Sequence, residues 1–129
     1  MNSFMLKYSP RCYALMRMVV GFLFLWHGSQ KLLGFPMGMP AGAPPFIIYG
    51  AGPIELIGGI LVMIGLFTHW AAFIASGEMA VAYWMVHGHR ALLPIQNQGE
   101  LAVLYCFVFL FIASQGGGIW SVDAVRKQS

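Results

Sequence analysis

Four apolar stretches, each about as long as a hydrocarbon bilayer is thick, dominate this chain, and each carries polar or ionisable side chains at one end. His27 and Lys31 close the first stretch and Glu55 opens the second; Tyr83 and His87 close the third, and Asn97 and Glu100 open the fourth. Of the 129 residues, 59% are hydrophobic and only 9% charged, against roughly 25% charged in soluble domains. Such a chain cannot cover a water-facing surface, so lipid is its expected solvent. The pattern predicts an all-α polytopic membrane protein: a single domain over residues 1–129, folded as a four-transmembrane-helix bundle. The spans are expected at about 12–34, 51–67, 71–87 and 99–114.

Local signals support these bounds. Pro10 marks the first helix start, and no small-x-small cleavage site follows Met18 to Trp26, so this segment reads as a retained span rather than a signal peptide. Phe35 to Gly50 is uncharged and rich in Pro, Gly and Met, which predicts a surface-lying lid rather than a helix. Gly58, Gly59 and Gly65 in the second span, and Ala71, Ala72, Ala75, Ser76, Gly77 and Ala80 in the third, suit close helix contact. Thr68-His69-Trp70 reads as a short turn, Pro94 as a helix breaker in the Gly88–Gln98 loop, and Ile119 to Ser129 as a polar tail after the Gly116-Gly117-Gly118 stop.

The net charge of +3 comes from seven basic residues against four acidic ones. Lys7, Arg11, Arg17, Arg126 and Lys127 lie towards the two termini, whereas only Lys31 and Arg90 lie on the other side. This asymmetry predicts cytoplasmic N and C termini, not nucleic-acid binding. Trp26 and Trp84 then fall near the outer interface, and Trp70 and Trp120 near the inner one. Cys12 and Cys106 form no CxxC or metal spacing and differ in depth by more than a disulfide allows, so both read as apolar fillers.

With that topology His27, Lys31, Glu55, Tyr83, Trp84, His87, Asn97 and Glu100 converge near the outer surface as candidate ligand-binding residues. Ionisable groups in a bilayer are costly, which makes such a convergence a functional hypothesis. Lys31 is expected to pair with Glu55 or Glu100, and Glu55 to sit at its helix N-terminus, where the dipole favours a carboxylate. Each residue also has a plainer reading: a helix cap, a bond to a loop carbonyl, or a side chain snorkelling to the headgroups, as for His89 and Arg90. Deeper, Arg17 and Glu78 differ in depth by roughly 6–8 Å at 1.5 Å per residue, which predicts a buried ion pair between the first and third spans. Glu78 and His87, nine residues apart, should face opposite ways on an ideal helix.

The spacing holds no Glu-x-x-His pair of the di-iron type, and no metal site is expected. A haem between His27 and His87 is geometrically open but weakly supported. A quinone-like ring suits the cluster better: His or Glu for proton exchange, Tyr and Trp for stacking, and a dry interior.

At these residues the chain resembles the DoxX family of small bacterial inner-membrane proteins. The resemblance is carried by Arg17 with Gly21, FLFLWHGSQKLLG (22–34), GPIELIGGILVMIGLFTHWAA (52–72), GEMAVAYWMVH (77–87), PIQNQGELAVLYCFVFLFIA (94–113) and GGGIWSVD (116–123). It implies a multi-pass protein of the bacterial cytoplasmic membrane built as a four-helix bundle. Some relatives are linked to quinone-coupled sulfur oxidation or oxidative-stress partnerships, so it also implies a redox setting. His27, Lys31, Glu55, His87, Asn97 and Glu100 carry over by position, with no catalytic role attached. The leading expectation is a redox-associated accessory subunit that binds a quinone-like molecule, with a protein partner or a second copy of itself in the bilayer supplying the rest. The alternatives are a non-enzymatic small-molecule carrier, a membrane assembly or chaperone subunit, and a docking site for a partner's periplasmic domain. Whether the chain catalyses a reaction, and on what, is left open by the sequence.

Overall fold

The computed structural model describes residues 3–128, so the last residue of the expected tail, Ser129, lies outside the described residues. Every regular element among them is helical. Helix α1 (Ser9–Leu33) starts with Pro10 in its first turn, where the missing N–H costs nothing, and ends at Gly34 in the left-handed conformation (φ 64°). Helix α2 (Gly52–Ile64) is entered through a π-helical turn, Ile47–Ala51, and closes at Gly65 (φ 73°). Helix α3 (Thr68–Ala82) runs on into a second π-helical turn, Tyr83–His87. A single turn, α4 (Pro94–Asn97), precedes α5 (Glu100–Gln115), and α6 (Val122–Gln128) ends the described chain. Two of the helical stretches, Leu6–Leu33 and Ile47–Ile64, are long and apolar enough to cross a membrane.

Several local expectations need correction. Residues 45–50 are helical, not lid, so Glu55 lies about two turns inside a continuous helix instead of at its start. The turn between α2 and α3 is residues 65–67, and Thr68-His69-Trp70 is the first turn of α3. Pro94 begins α4 rather than breaking a helix, because its fixed φ suits a first turn.

Helices α1 with α2, and α3 with α5, form two closely packed pairs, while α2 and α3 touch far less. The α1–α2 contact is backbone on backbone. A Cβ on Gly59 would stand 2.6 Å from the Leu25 nitrogen, and one on Gly28 would collide with the Leu56 nitrogen. Small residues allow this approach when lipid supplies no hydrophobic drive between helices. Gly58 takes no part; a Cβ there would meet nothing. In the α3–α5 pair Ala71, Ala72, Ala75 and Ser76 are buried, and the Ser76 hydroxyl donates to the Cys106 carbonyl at 2.7 Å. Phe24 of α1 is fully buried and packs on Tyr105 and Phe109 of α5, with ring centroids 5.1 and 4.6 Å away, which joins the two pairs.

The expected polar tail is a folded part of the bundle. Arg17, fully buried, donates to the carbonyls of Val62 (2.7 Å) and Met63 (2.8 Å) at the end of α2, and to Trp120 (2.7 Å) ahead of α6. Those carbonyls lie at the negative end of the α2 dipole, and Val62 also accepts from Gly65 N–H, so the guanidinium completes their hydrogen bonding and matches their charge. Asp123 accepts from the Phe67 and Thr68 N–H groups (2.9 Å each) and from the Thr68 hydroxyl (2.7 Å), capping α3 from outside its own sequence. Phe67 itself stands at φ 50°, a left-handed conformation that a bulky side chain adopts only under constraint.

Candidate ligand cavity

Because α2 and α3 meet at a tight turn and touch little elsewhere, a cavity of about 670 Å³ lies between α1, α2, α3 and α5. Its wall is mostly apolar, with Phe24, Phe46, Ile54, Phe73, Ile74 and Leu101 among the lining residues. The polar exceptions are His27, Lys31, Glu55, Glu78, His87 and Tyr105. They reach the wall from four helices: His27 and Lys31, four residues apart, share one face of α1, Glu55 projects from α2, Glu78 and His87 from α3 and its π turn, and Tyr105 from α5.

At the centre of this polar patch the Lys31 ammonium is 2.7 Å from Glu55 Oε2, with side-chain exposures of 12% and 4%. Lys31 also donates weakly to the His27 carbonyl at 3.4 Å. The carboxyl groups of Glu55 and Glu78 lie within hydrogen-bonding reach of each other. Two carboxyls make such a contact only through a shared proton, and Lys31 stands where it offsets the charge that remains. The His27 ring meets the Tyr105 ring edge-on, centroids 5.9 Å apart. His87 Nδ1 is 3.0 Å from the Asn97 carbonyl and must donate to it, because a carbonyl only accepts.

Four of the eight residues expected at the site therefore line the cavity: His27, Lys31, Glu55 and His87. The other four do not. Asn97 is buried and fully used by its loop: its Nδ2 donates to the Tyr83 hydroxyl (3.0 Å) and the Ala91 carbonyl (3.1 Å), and its Oδ1 accepts from Gly99 N–H (2.8 Å). Tyr83 is thereby held as part of that loop scaffold. Trp84 is 71% exposed on the periphery, and Glu100 is exposed at the start of α5.

The expected Arg17–Glu78 pair does not form. Arg17 is held by the three carbonyls at the α6 end of the bundle, and Glu78 lies against Glu55. Nor do Glu78 and His87 face apart; both line the cavity. The reason is the π-helical turn at Tyr83–His87, whose wider i→i+5 path advances fewer degrees per residue than the α-helix assumed in the sequence arithmetic. Sequence reasoning missed Glu78 as a cavity residue, and it missed Tyr105. The one signal for Tyr105 is that its hydroxyl is a polar tip in the otherwise apolar run Leu101 to Ala113. Nothing in the YWMVH segment announces the π turn. Among the described residues no group of three or more His, Cys, Asp or Glu stands close enough to hold a metal ion.

Comparison with known proteins places this arrangement in context. The sequence model of the DoxX family matches residues 13–88, which include most of α1, all of α2, and α3 with its π turn. A Haemophilus influenzae protein described only as "Uncharacterized protein" is 43% identical over 124 residues, covering 91% of this chain and 92% of that protein. A Bacillus subtilis protein named "Putative oxidoreductase CatD" is 40% identical over 113 residues, covering 84% of this chain and 82% of that protein. A second uncharacterized Haemophilus influenzae protein is 26% identical over 110 residues, covering 80% of this chain and 71% of that protein. No solved structure matches the chain.

Proposed function

Because the chain belongs to the DoxX family, we propose that it is a multi-pass protein of the bacterial cytoplasmic membrane whose cavity binds a small apolar ring compound of the quinone type. In this reading α1, α2, α3 with its π turn, and α5 each cross the bilayer, and both termini lie in the cytoplasm. The excess of Lys and Arg near the termini supports that orientation. So does the stretch Trp120 to Lys127, where exposed Trp120, Val122 and Val125 adjoin Arg126 and Lys127, a composition suited to the headgroup boundary.

The observation that carries the proposal is the cavity: about 670 Å³ of largely apolar space with one polar cluster, Lys31–Glu55–Glu78, on its wall. A pocket of that size and character suits a small amphiphile with an apolar body and one polar head. Its rim residues Phe46, Phe73 and Ile74 are apolar, so a lipid-soluble ligand meets no polar barrier there. The name of the Bacillus subtilis relative supports a redox setting for such a ligand. In that setting the chain acts as an accessory subunit: it presents the ring, its carboxyl pair exchanges protons with the ring, and a partner in the membrane exchanges the electrons.

The test uses protein purified in mild detergent, with its organic extract assayed for ring compounds and its saturable binding of a decyl-tailed benzoquinone and the matching hydroquinone measured by equilibrium dialysis. About one ring compound per chain in the extract, or saturable binding of either probe that is lost on filling the cavity with Gly77→Phe, supports the proposal. Gly77 lines the cavity, and a Cβ there meets nothing within 4 Å. An empty extract with no saturable binding refutes it and leaves the assembly-subunit role.

A further inference from the structure

We infer that the occupant of this cavity carries a neutral head group that donates hydrogen bonds, as a hydroxylated ring does, and that Glu55 and Glu78 receive them. The inference rests on the ring-binding reading above and adds the chemistry of the head group. It follows from two balances, of hydrogen bonds and of charge, at the polar patch.

The hydrogen-bond balance is acceptor-rich. Two carboxyl groups present four oxygens, each able to accept twice, and against these eight sites the wall sets one shared proton, the Lys31 ammonium and the Tyr105 and His27 donors. Glu55 Oε2 is buried and is met by the Lys31 ammonium at 2.7 Å, whereas Glu78 Oε2 is buried with no hydrogen-bond partner among the described residues. The Lys31 ammonium approaches the first of these as an ion pair and turns a second N–H towards the His27 carbonyl. The donor on His87 Nδ1 is taken by the Asn97 carbonyl and is not free for the carboxyl groups. A carbonyl head group would add acceptors to a wall that already has too many. A hydroxyl head group supplies what the wall lacks, since a buried acceptor left without a donor is costly.

The charge balance decides between a hydroxyl and an ammonium, both of which donate. With one proton on the carboxyl pair, Lys31 already neutralises the cluster, and a cationic head group would leave an uncompensated charge in apolar surroundings. A neutral hydroxyl leaves the balance unchanged.

The experiment compares two matched probe pairs on the full-length protein in micelles, kept anaerobic. One pair is decyl-hydroquinone and decyl-benzoquinone; the other, free of redox chemistry, is 4-decylphenol and its methyl ether. In each pair the first member has the donor and the second lacks it. We expect the donor-bearing member to bind about tenfold more tightly in both pairs, the size of one hydrogen bond to a buried acceptor. In Glu78→Gln, whose amide brings donors of its own, the ratio should fall to about threefold or less while the quinone still binds. Equal binding within both pairs overturns the inference, as does an unchanged ratio in the Glu78→Gln protein; either leaves the ring-binding reading in place. Displacement of the hydroquinone by decylammonium at equal concentration also overturns it. Binding of none of the neutral probes removes both readings together. Should the Glu78→Gln protein fail to accumulate, the two wild-type ratios decide alone.

Discussion

Replacing Asp123 with Ala tests whether a residue near the end of the chain holds the start of a helix more than fifty positions earlier. The carboxylate accepts from Phe67 N–H, Thr68 N–H and the Thr68 hydroxyl at 2.7–2.9 Å. No side chain of its own caps α3, and Phe67 sits at φ 50°. Hydrogen bonds to a charged acceptor contribute about 1.5–3 kcal/mol each when buried, and helix caps about 0.5–2 kcal/mol. Asp123 is only half-buried, and water replaces part of what is lost, so we expect a total of about 2–3 kcal/mol. Asp123→Asn, which keeps one acceptor oxygen, should cost about half of that. The assay is unfolding in mixed micelles by rising dodecyl sulfate, followed by far-ultraviolet circular dichroism.

A pH series adds a sign. Burial alone would raise the Asp123 carboxyl, but the hydrogen bonds from Thr68 and Phe67 and the nearby Arg126 charge outweigh it and hold the group below the ordinary aspartate range. A depressed folded value means the contribution is complete above the unfolded value, about 3.9, and fades as pH falls through the folded one. The gap between wild type and Asp123→Ala should therefore be constant near neutrality and close below about pH 4. A cost under about 0.5 kcal/mol for Asp123→Ala at pH 7, within the range of ordinary surface substitutions, would refute the capping argument.

The other perturbations separate structure from site. Arg17→Met removes three carbonyl partners in a buried setting and should destabilise by about 3–5 kcal/mol in the same assay, with α6 becoming susceptible to limited proteolysis. Gly28→Ala sets a methyl against the Leu56 backbone and should cost at least about 1–3 kcal/mol, whereas Gly58→Ala, which meets nothing, should be tolerated. Lys31→Met leaves Glu55 without its ion-pair partner and should destabilise by about 3 kcal/mol; adding Glu55→Met should recover most of that loss, because an apolar pair suits the cavity wall. Glu100→Gln should leave probe binding and stability unchanged, since Glu100 is exposed and off the cavity, and dialysis with the hydroquinone probe checks it.

The sequence by itself determined the helical class and the position of each long helix to within a few residues at most ends. Period, apolar run length and the Gly stop at 116 are local signals, and each acts through the backbone of its own segment; Gly65, expected as a contact face inside the second span, ends α2 instead. It also singled out four of the six polar residues on the cavity wall, because His27, Lys31, Glu55 and His87 are costly in an apolar helix wherever they point. What it could not determine was which of these groups meet. Depth arithmetic assumed ideal α-helices that start where the Pro and Gly signals fall. The π turn at Tyr83–His87 and the early helical start before Glu55 changed both angle and depth, so Glu78 came to Glu55 and Arg17 was left to the α2 carbonyls. The roles of Asp123 and Trp120 are likewise tertiary. Their partners are more than fifty residues away in sequence, and only the packing of the chain's end against the α2–α3 turn brings them within bonding distance. Local propensity specifies the helices; the pairing of buried polar groups is a property of their packed surfaces, where a shift of one turn exchanges every partner.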